Sequence, residues 1–171
     1  MNITEEQKRK LEETYQKYFH HEAILRMKEI PVHRGSNCYL HTFKVTKKVM
    51  KKAVKSRRFL DLEALLLACI FHDYYLYSWR KDKSKLKHHG KEHPFVAIEN
   101  AKRDFNIPNR AVEMIKTHMW PLNLLHPPKG KEARLLCFLD TRVATKEFLS
   151  SKKHKKKTEA KLLSYLENLF D

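Results

Sequence analysis

The chain has 171 residues, with 36 Lys and Arg against 20 Asp and Glu, a formal net charge of +16 and 42% hydrophobic residues, enough to fill a single core. Its three glycines, Gly35, Gly90 and Gly130, stand singly and exclude the glycine-rich phosphate cradles GxxxxGK[ST] and GxGxxG. Cys38, Cys69 and Cys137 are widely spaced, which excludes a disulfide scaffold or a cysteine zinc knuckle and makes a reducing compartment the expectation.

In chain order the pattern is helical throughout. Met1 to Glu6 is acidic and has no apolar core, so it does not read as a signal peptide. Thr4-x-x-Gln7 predicts a capping box and a helix to about Lys28, before Pro31. A second helix is expected after the turn at Arg34 to Asn37. It carries Lys44, Lys47, Lys48, Lys51, Lys52 and Lys55 on one face, Cys38, Val45, Val49 and Ala53 on the other, and His41 at the edge of that apolar stripe. The third helix, from about Asp61, is apolar almost all round and is the expected centre of the fold. Its run Ala64 to Phe71 falls well short of the roughly 20 residues of a membrane span.

A polar loop is expected from Ser78 to Glu92, then a fourth helix opened by His93-Pro94 and ended before Pro108. Asn109 is the expected cap of a fifth helix to about His118, and Pro121, Pro127 and Pro128 enforce a loop. A sixth helix is expected over 131–149 and a seventh over 158–170. No segment alternates with period two, so the expectation is an all-α, single-domain bundle of six to seven helices, soluble and cytoplasmic.

His72-Asp73 closes the most apolar helix, where an unpartnered carboxylate and imidazole would cost several kcal/mol. Asp73 could cap or pair locally. Yet His41, His93, His118 and Asp140 are each expected as a buried polar group on a different helix, as in metal sites built in bundle cores. Four histidines with two carboxylates suit iron, manganese, zinc, cobalt or nickel better than magnesium or calcium.

The order His41, His72-Asp73, His93, His118, Asp140 resembles the HD superfamily of metal-dependent phosphohydrolases over about residues 33–147. The stretches His72 to Trp79, His89 to Pro94 and His118 to Leu122, and Asp140 with Ala144 and Glu147, look like a bacterial subgroup of predicted HD-domain hydrolases. The resemblance implies one HD-type domain over 1–171, with an N-terminal helix over 1–30, the metal-binding core over 33–147 and a C-terminal helix over 158–170. It implies one or two divalent ions. His41, His72, Asp73 and Asp140 would hold the first, and Asp73 would bridge to a second held by His93 and His118. His93 is preferred to His88 and His89 because it immediately precedes Pro94.

Asp73, His89 and His33 are the implied catalytic residues. His89 faces the substrate, and His33 contacts a phosphate or protonates the leaving group, a solvated loop histidine being the equal alternative. The chain departs from the subgroup pattern at Ser78 and Arg80, which flank Trp79, and at Thr141, none of them an implied ligand. Trp79 and Trp120 could line a pocket, and core is the favoured expectation for both.

The implied reaction is hydrolysis of a phosphate ester of a small molecule, a nucleotide or related metabolite, by metal-activated water. A di-iron oxygenase of the same superfamily is one alternative. The other is a basic nucleic-acid-binding or interaction domain with a structural or vestigial metal site. Further lysines cluster at Arg80 to Lys91 and Lys152 to Lys157; the charge reads mainly as solvated surface, with stretches beside the site that gather phosphate. Nucleic acid is disfavoured as a partner, because there is no recognition-helix pattern and no run of aromatics interleaved with the lysines. No membrane association is expected, and the sequence leaves the oligomeric state open.

Overall fold

Thr4 opens the first helix through the reciprocal bonds of a capping box: its Oγ1 accepts from Gln7 N at 3.1 Å, and Gln7 Oε1 accepts from Thr4 N at 3.0 Å. The computed structural model describes residues 3–32, 36–78 and 88–149. Within them lie α1 (Glu5–Phe19), α2 (Glu22–Leu25) followed by a 3-10 turn (Arg26–Glu29), α3 (Cys38–Val54), α4 (Leu62–Phe71), α5 (His89–Phe105), α6 (Asn109–Thr117) and α7 (Lys131–Leu149). No strand forms among the described residues; a lone bridge joins Pro31 to Asn37. The fold is an all-α single-domain bundle, and no described helix is long and apolar enough to cross a membrane.

The first helix stops at Phe19 instead of running to Lys28. At about 100° per residue a continuous helix would carry Ile24 to the face opposite Tyr15. His21 resolves this by breaking the helix: its Nδ1 accepts from Ala23 N at 3.2 Å and caps α2, so Ile24 and Met27 are buried beside Tyr15 and Phe19.

The all-round apolarity of α4 has the expected consequence. Every residue from Ala64 to Phe71 is buried, and α4 packs against α1, α3, α5, α6 and α7. Asp61 caps it through Ala64 N at 3.0 Å, and Glu132 of α7 accepts from Asp61 N at 3.1 Å and from Arg110 Nη2 of α6 at 3.3 Å.

The fourth expected helix starts at His89, a turn earlier than His93-Pro94, so Pro94 lies inside α5. A proline this close to the N-terminus removes one bond to a carbonyl of the first turn and leaves the helix intact. The helix ends at Asn106, whose left-handed φ of 48° suits a short polar side chain at a C-cap. The fifth helix takes Pro108 rather than Asn109 as its cap, with Pro108 O accepting from Ala111 N at 3.0 Å. The sixth expected helix is α7, with the bounds anticipated; the seventh, 158–170, and the tract Lys152 to Lys157 lie outside the described residues.

Trp120 is not core. It is 42% exposed in the proline-bounded loop after α6, held by a bond from Cys137 Sγ to its carbonyl at 3.2 Å. Trp79 lies outside the described residues. The three cysteines are free and buried.

A candidate metal centre

Five of the described helices each bring a side chain to one point. His41 stands on the first turn of α3, His72 and Asp73 at the C-terminus of α4, His93 on α5, His118 at the C-cap of α6 and Asp140 on α7. All six are buried, with His72 at 0% exposure the deepest and Asp73 at 8% the shallowest.

Local backbone fixes three of the rings. His72 Nδ1 lies 2.8 Å from Cys69 O, His118 Nδ1 2.7 Å from Ile115 O and His93 Nδ1 2.9 Å from His89 O. A carbonyl only accepts, so each Nδ1 carries the hydrogen, and in the neutral ring each Nε2 presents a lone pair inward. The fourth ring is held by a carboxylate: His41 Nδ1 is 2.8 Å from Glu147 Oε2, and its Nε2 is 2.9 Å from Asp140 Oδ1.

Asp73 divides its oxygens between two groups. Its Oδ1 lies 3.2 Å from His93 Nε2 and 3.8 Å from His118 Nε2, while Oδ2 lies 3.7 Å from both His41 Nε2 and His72 Nε2. Ligand atoms of His41, His72 and Asp140 lie within 4.8 Å of one another, and so do those of Asp73, His93 and His118.

Two details test whether cations fit. His72 Nε2 is buried with no hydrogen-bond partner, the kind of orphan that costs a protein several kcal/mol if nothing satisfies it. His93 Nε2 and His118 Nε2 meet at 2.9 Å although both rings have spent their Nδ1 hydrogens on carbonyls. A proton or a cation must sit between two such lone pairs, and both nitrogens are within reach of one ion at the usual metal–nitrogen distance of about 2.0–2.1 Å. The donor set fits borderline transition ions.

The electrostatics follow the same division. Burial pulls the His41 imidazole down, but Asp140 and Glu147 outweigh it and hold its pKa well above the ordinary value. His72 is raised against the same burial by Asp73 and Asp140. His118 goes the other way, pushed down to about 3 by burial and by the neighbouring His93 and His72. Burial would raise the carboxylates; His72 and His93 keep Asp73 far below the usual range, and His41 and His72 do so for Asp140.

No family model, curated protein or solved structure matches this chain.

His89 stands beside the six without joining them. It is half-buried, its ring stacks on His93 at 4.6 Å and 26°, and its Nδ1 is 2.9 Å from Tyr77 Oη. His33, Arg34 and the stretch from Trp79 to Lys87 lie outside the described residues. The lysine face of α3 was expected to flank His41; Lys44 does so, donating to Glu147 Oε1 at 2.7 Å, and Lys48 feels the charge of Glu147, while Lys51, Lys52 and Lys55 lie at the other end of the helix.

In the sequence Glu147 stands only among the residues that carry the resemblance, with no role attached. It is buried and accepts from His41 Nδ1, from Lys44 Nζ and from Ser36 Oγ at 3.0 Å, and against burial His41 and then Lys44 bring its pKa down to about 2. A signal was present: Glu147 follows Asp140 by two helical turns, so both fall on one face of α7.

Proposed function

We propose that this protein is a metal-dependent phosphohydrolase of the HD type, cleaving a phosphate ester of a small molecule such as a nucleotide or related metabolite. The observation that carries the proposal is the Asp73 carboxylate, with one oxygen facing His41 and His72 and the other facing His93 and His118. A carboxylate so placed spans two positions whose remaining donors are mostly imidazole nitrogens.

Divalent transition ions bound there would supply water activation at neutral pH and stabilisation of charge on phosphoryl oxygens. The rest falls to the chain. The carbonyls of Cys69, His89 and Ile115 orient three rings, Glu147 orients the fourth, and Asp140 completes the group around His41. His89, half-buried against His93 and paired with Tyr77, is the ring we assign to substrate contact. With no glycine-rich cradle in the chain, phosphate recognition rests on ions and cationic side chains. Three buried free thiols suit a reducing compartment, and this reading places the activity in the cytoplasm.

The test is elemental analysis of protein purified without chelator or tag-derived metal. One or two transition ions per chain are expected, lost in Asp73→Ala, together with hydrolysis of generic phosphomonoesters or diesters in manganese, cobalt or nickel. Wild-type protein that takes up no transition metal under any loading condition would overturn the proposal.

A further inference from the structure

The far end of α3 carries a second concentration of chemistry. Lys51, Lys52 and Lys55 on its last turn and just beyond, Arg58 in the following loop and Lys131 at the start of α7 line a groove of about 470 Å³. No acidic side chain lines it, and none of the five cations makes an ion pair among the described residues. Its floor is apolar, through Leu60 and Leu135. At about 1.5 Å per residue, Lys52 lies roughly 16 Å along α3 from His41, so the groove is separate from the metal centre.

Cations crowded without counter-charges repel one another and stabilise the fold only when an anion screens them. The excess continues along the seam where α3 and α7 run antiparallel. Lys48 there has its pKa lowered by burial and then by Lys146 and Arg142.

Charge alone would suit any polyanion. The aromatic neighbour narrows the choice. Phe59 is 89% exposed and follows Arg58 in the chain; its ring lines an adjoining groove with Lys10, Asp61 and Glu63, and Leu60 is the residue that the two grooves share. A cationic track beside an exposed aromatic ring has the two elements that hold unpaired nucleotides: ammonium and guanidinium groups for the phosphates and a flat face for a base. Double-stranded nucleic acid offers phosphates but keeps its base faces stacked, and a phospholipid surface has no planar group for the ring.

We propose that this groove binds single-stranded nucleic acid, with Lys51, Lys52, Lys55, Arg58 and Lys131 on the phosphates and Phe59 stacked on a base. The binding is independent of the metal centre and does not rest on the phosphohydrolase reading.

The experiment is fluorescence anisotropy of labelled 12-nucleotide single strands, DNA and RNA in separate arms, and of a 12-base-pair duplex, over a salt series with full-length protein. Single strands are expected to bind more tightly than the duplex. Affinity should fall with salt with a log–log slope of about −3 if four or five phosphates are neutralised. Lys52→Glu with Lys55→Glu should reduce the magnitude of that slope by about 1.4. Phe59→Ala should weaken single-strand binding about tenfold and leave the slope unchanged. The control is Lys17→Glu with Lys102→Glu, an equal change of net charge at exposed positions on α1 and α5. If the control weakens binding as much as the groove pair, only net charge is being read and the proposal fails. It fails equally if Phe59→Ala has no effect or if the duplex binds as tightly as the single strands.

Discussion

Each histidine of the candidate metal centre has its outer nitrogen committed to a partner that can only accept, which leaves the inner nitrogen as the one an ion could take. For three rings that partner is a backbone carbonyl, which no substitution removes. For His41 it is Glu147, which makes this carboxylate the one orienting group open to mutation. Glu147→Gln keeps the shape but lets the amide nitrogen face His41, and it removes the charge that Lys44 and Ser36 also serve. Metal affinity at the His41 position should fall about 10–100-fold, read by competition with a chromophoric chelator, with helix content unchanged. A variant that binds as tightly as wild type would show that Asp140 alone orients the ring.

Helix caps and glycines decide how the elements carry these residues. Gly90, in the first turn of α5, has room for a methyl group: an added Cβ would meet Leu122 Cδ1 at 3.8 Å and Met119 Cε at 3.9 Å, ordinary contact distances. Gly130, just before α7, has φ of 88°, where a side chain is strained. Gly90→Ala should therefore stabilise by about 0.5–1 kcal/mol and Gly130→Ala destabilise by about 1–2 kcal/mol, measured as shifts in urea midpoint. Equal signs for the two would contradict this account.

Most elements were legible in the sequence because their signals were local: the Thr4 capping box, the apolar run of α4 and the prolines that bound α6. The break at His20 and His21 was not, because the reason for it is that Ile24 must reach a core made by other helices. The six residues of the centre were expected as buried polar groups on several helices, and their choice as a set came from the resemblance to the HD superfamily. The role of Glu147, named only within the resembling pattern, was not legible because it depends on His41, which is 106 residues away in the chain.

At the scale of the whole molecule, a buried cluster of four imidazoles and three carboxylates ties stability to pH. In metal-free protein above about pH 6.5 the unfolded histidines are neutral, while raised His41 and His72 still hold protons when folded, so stability declines as pH rises. Between about pH 4.5 and 6.5 the unfolded chain also protonates His118, whose folded pKa is about 3, so stability declines as pH falls. Below that range the depressed Asp73, Asp140 and Glu147 steepen the loss, because the unfolded carboxylates take up protons first. Chelator-treated protein should thus have its highest urea midpoint near pH 6.5. Metal-loaded protein, whose ligands must be free of protons, should instead gain stability as pH rises through that value. A midpoint for stripped protein that climbs steadily from pH 6 to 9 would contradict the assignment.

The spread of the candidate centre over five of the described helices also sets an order on its making. His41 is among the first of these residues to leave the ribosome, yet its partners Asp140 and Glu147 follow 99 and 106 residues later. An ion pocket around His41 therefore cannot close on a nascent or truncated chain. On the proposed function, loading would be a sign that the bundle is complete, and a chain cut short before α7 would lack Asp140 and Glu147 beside His41.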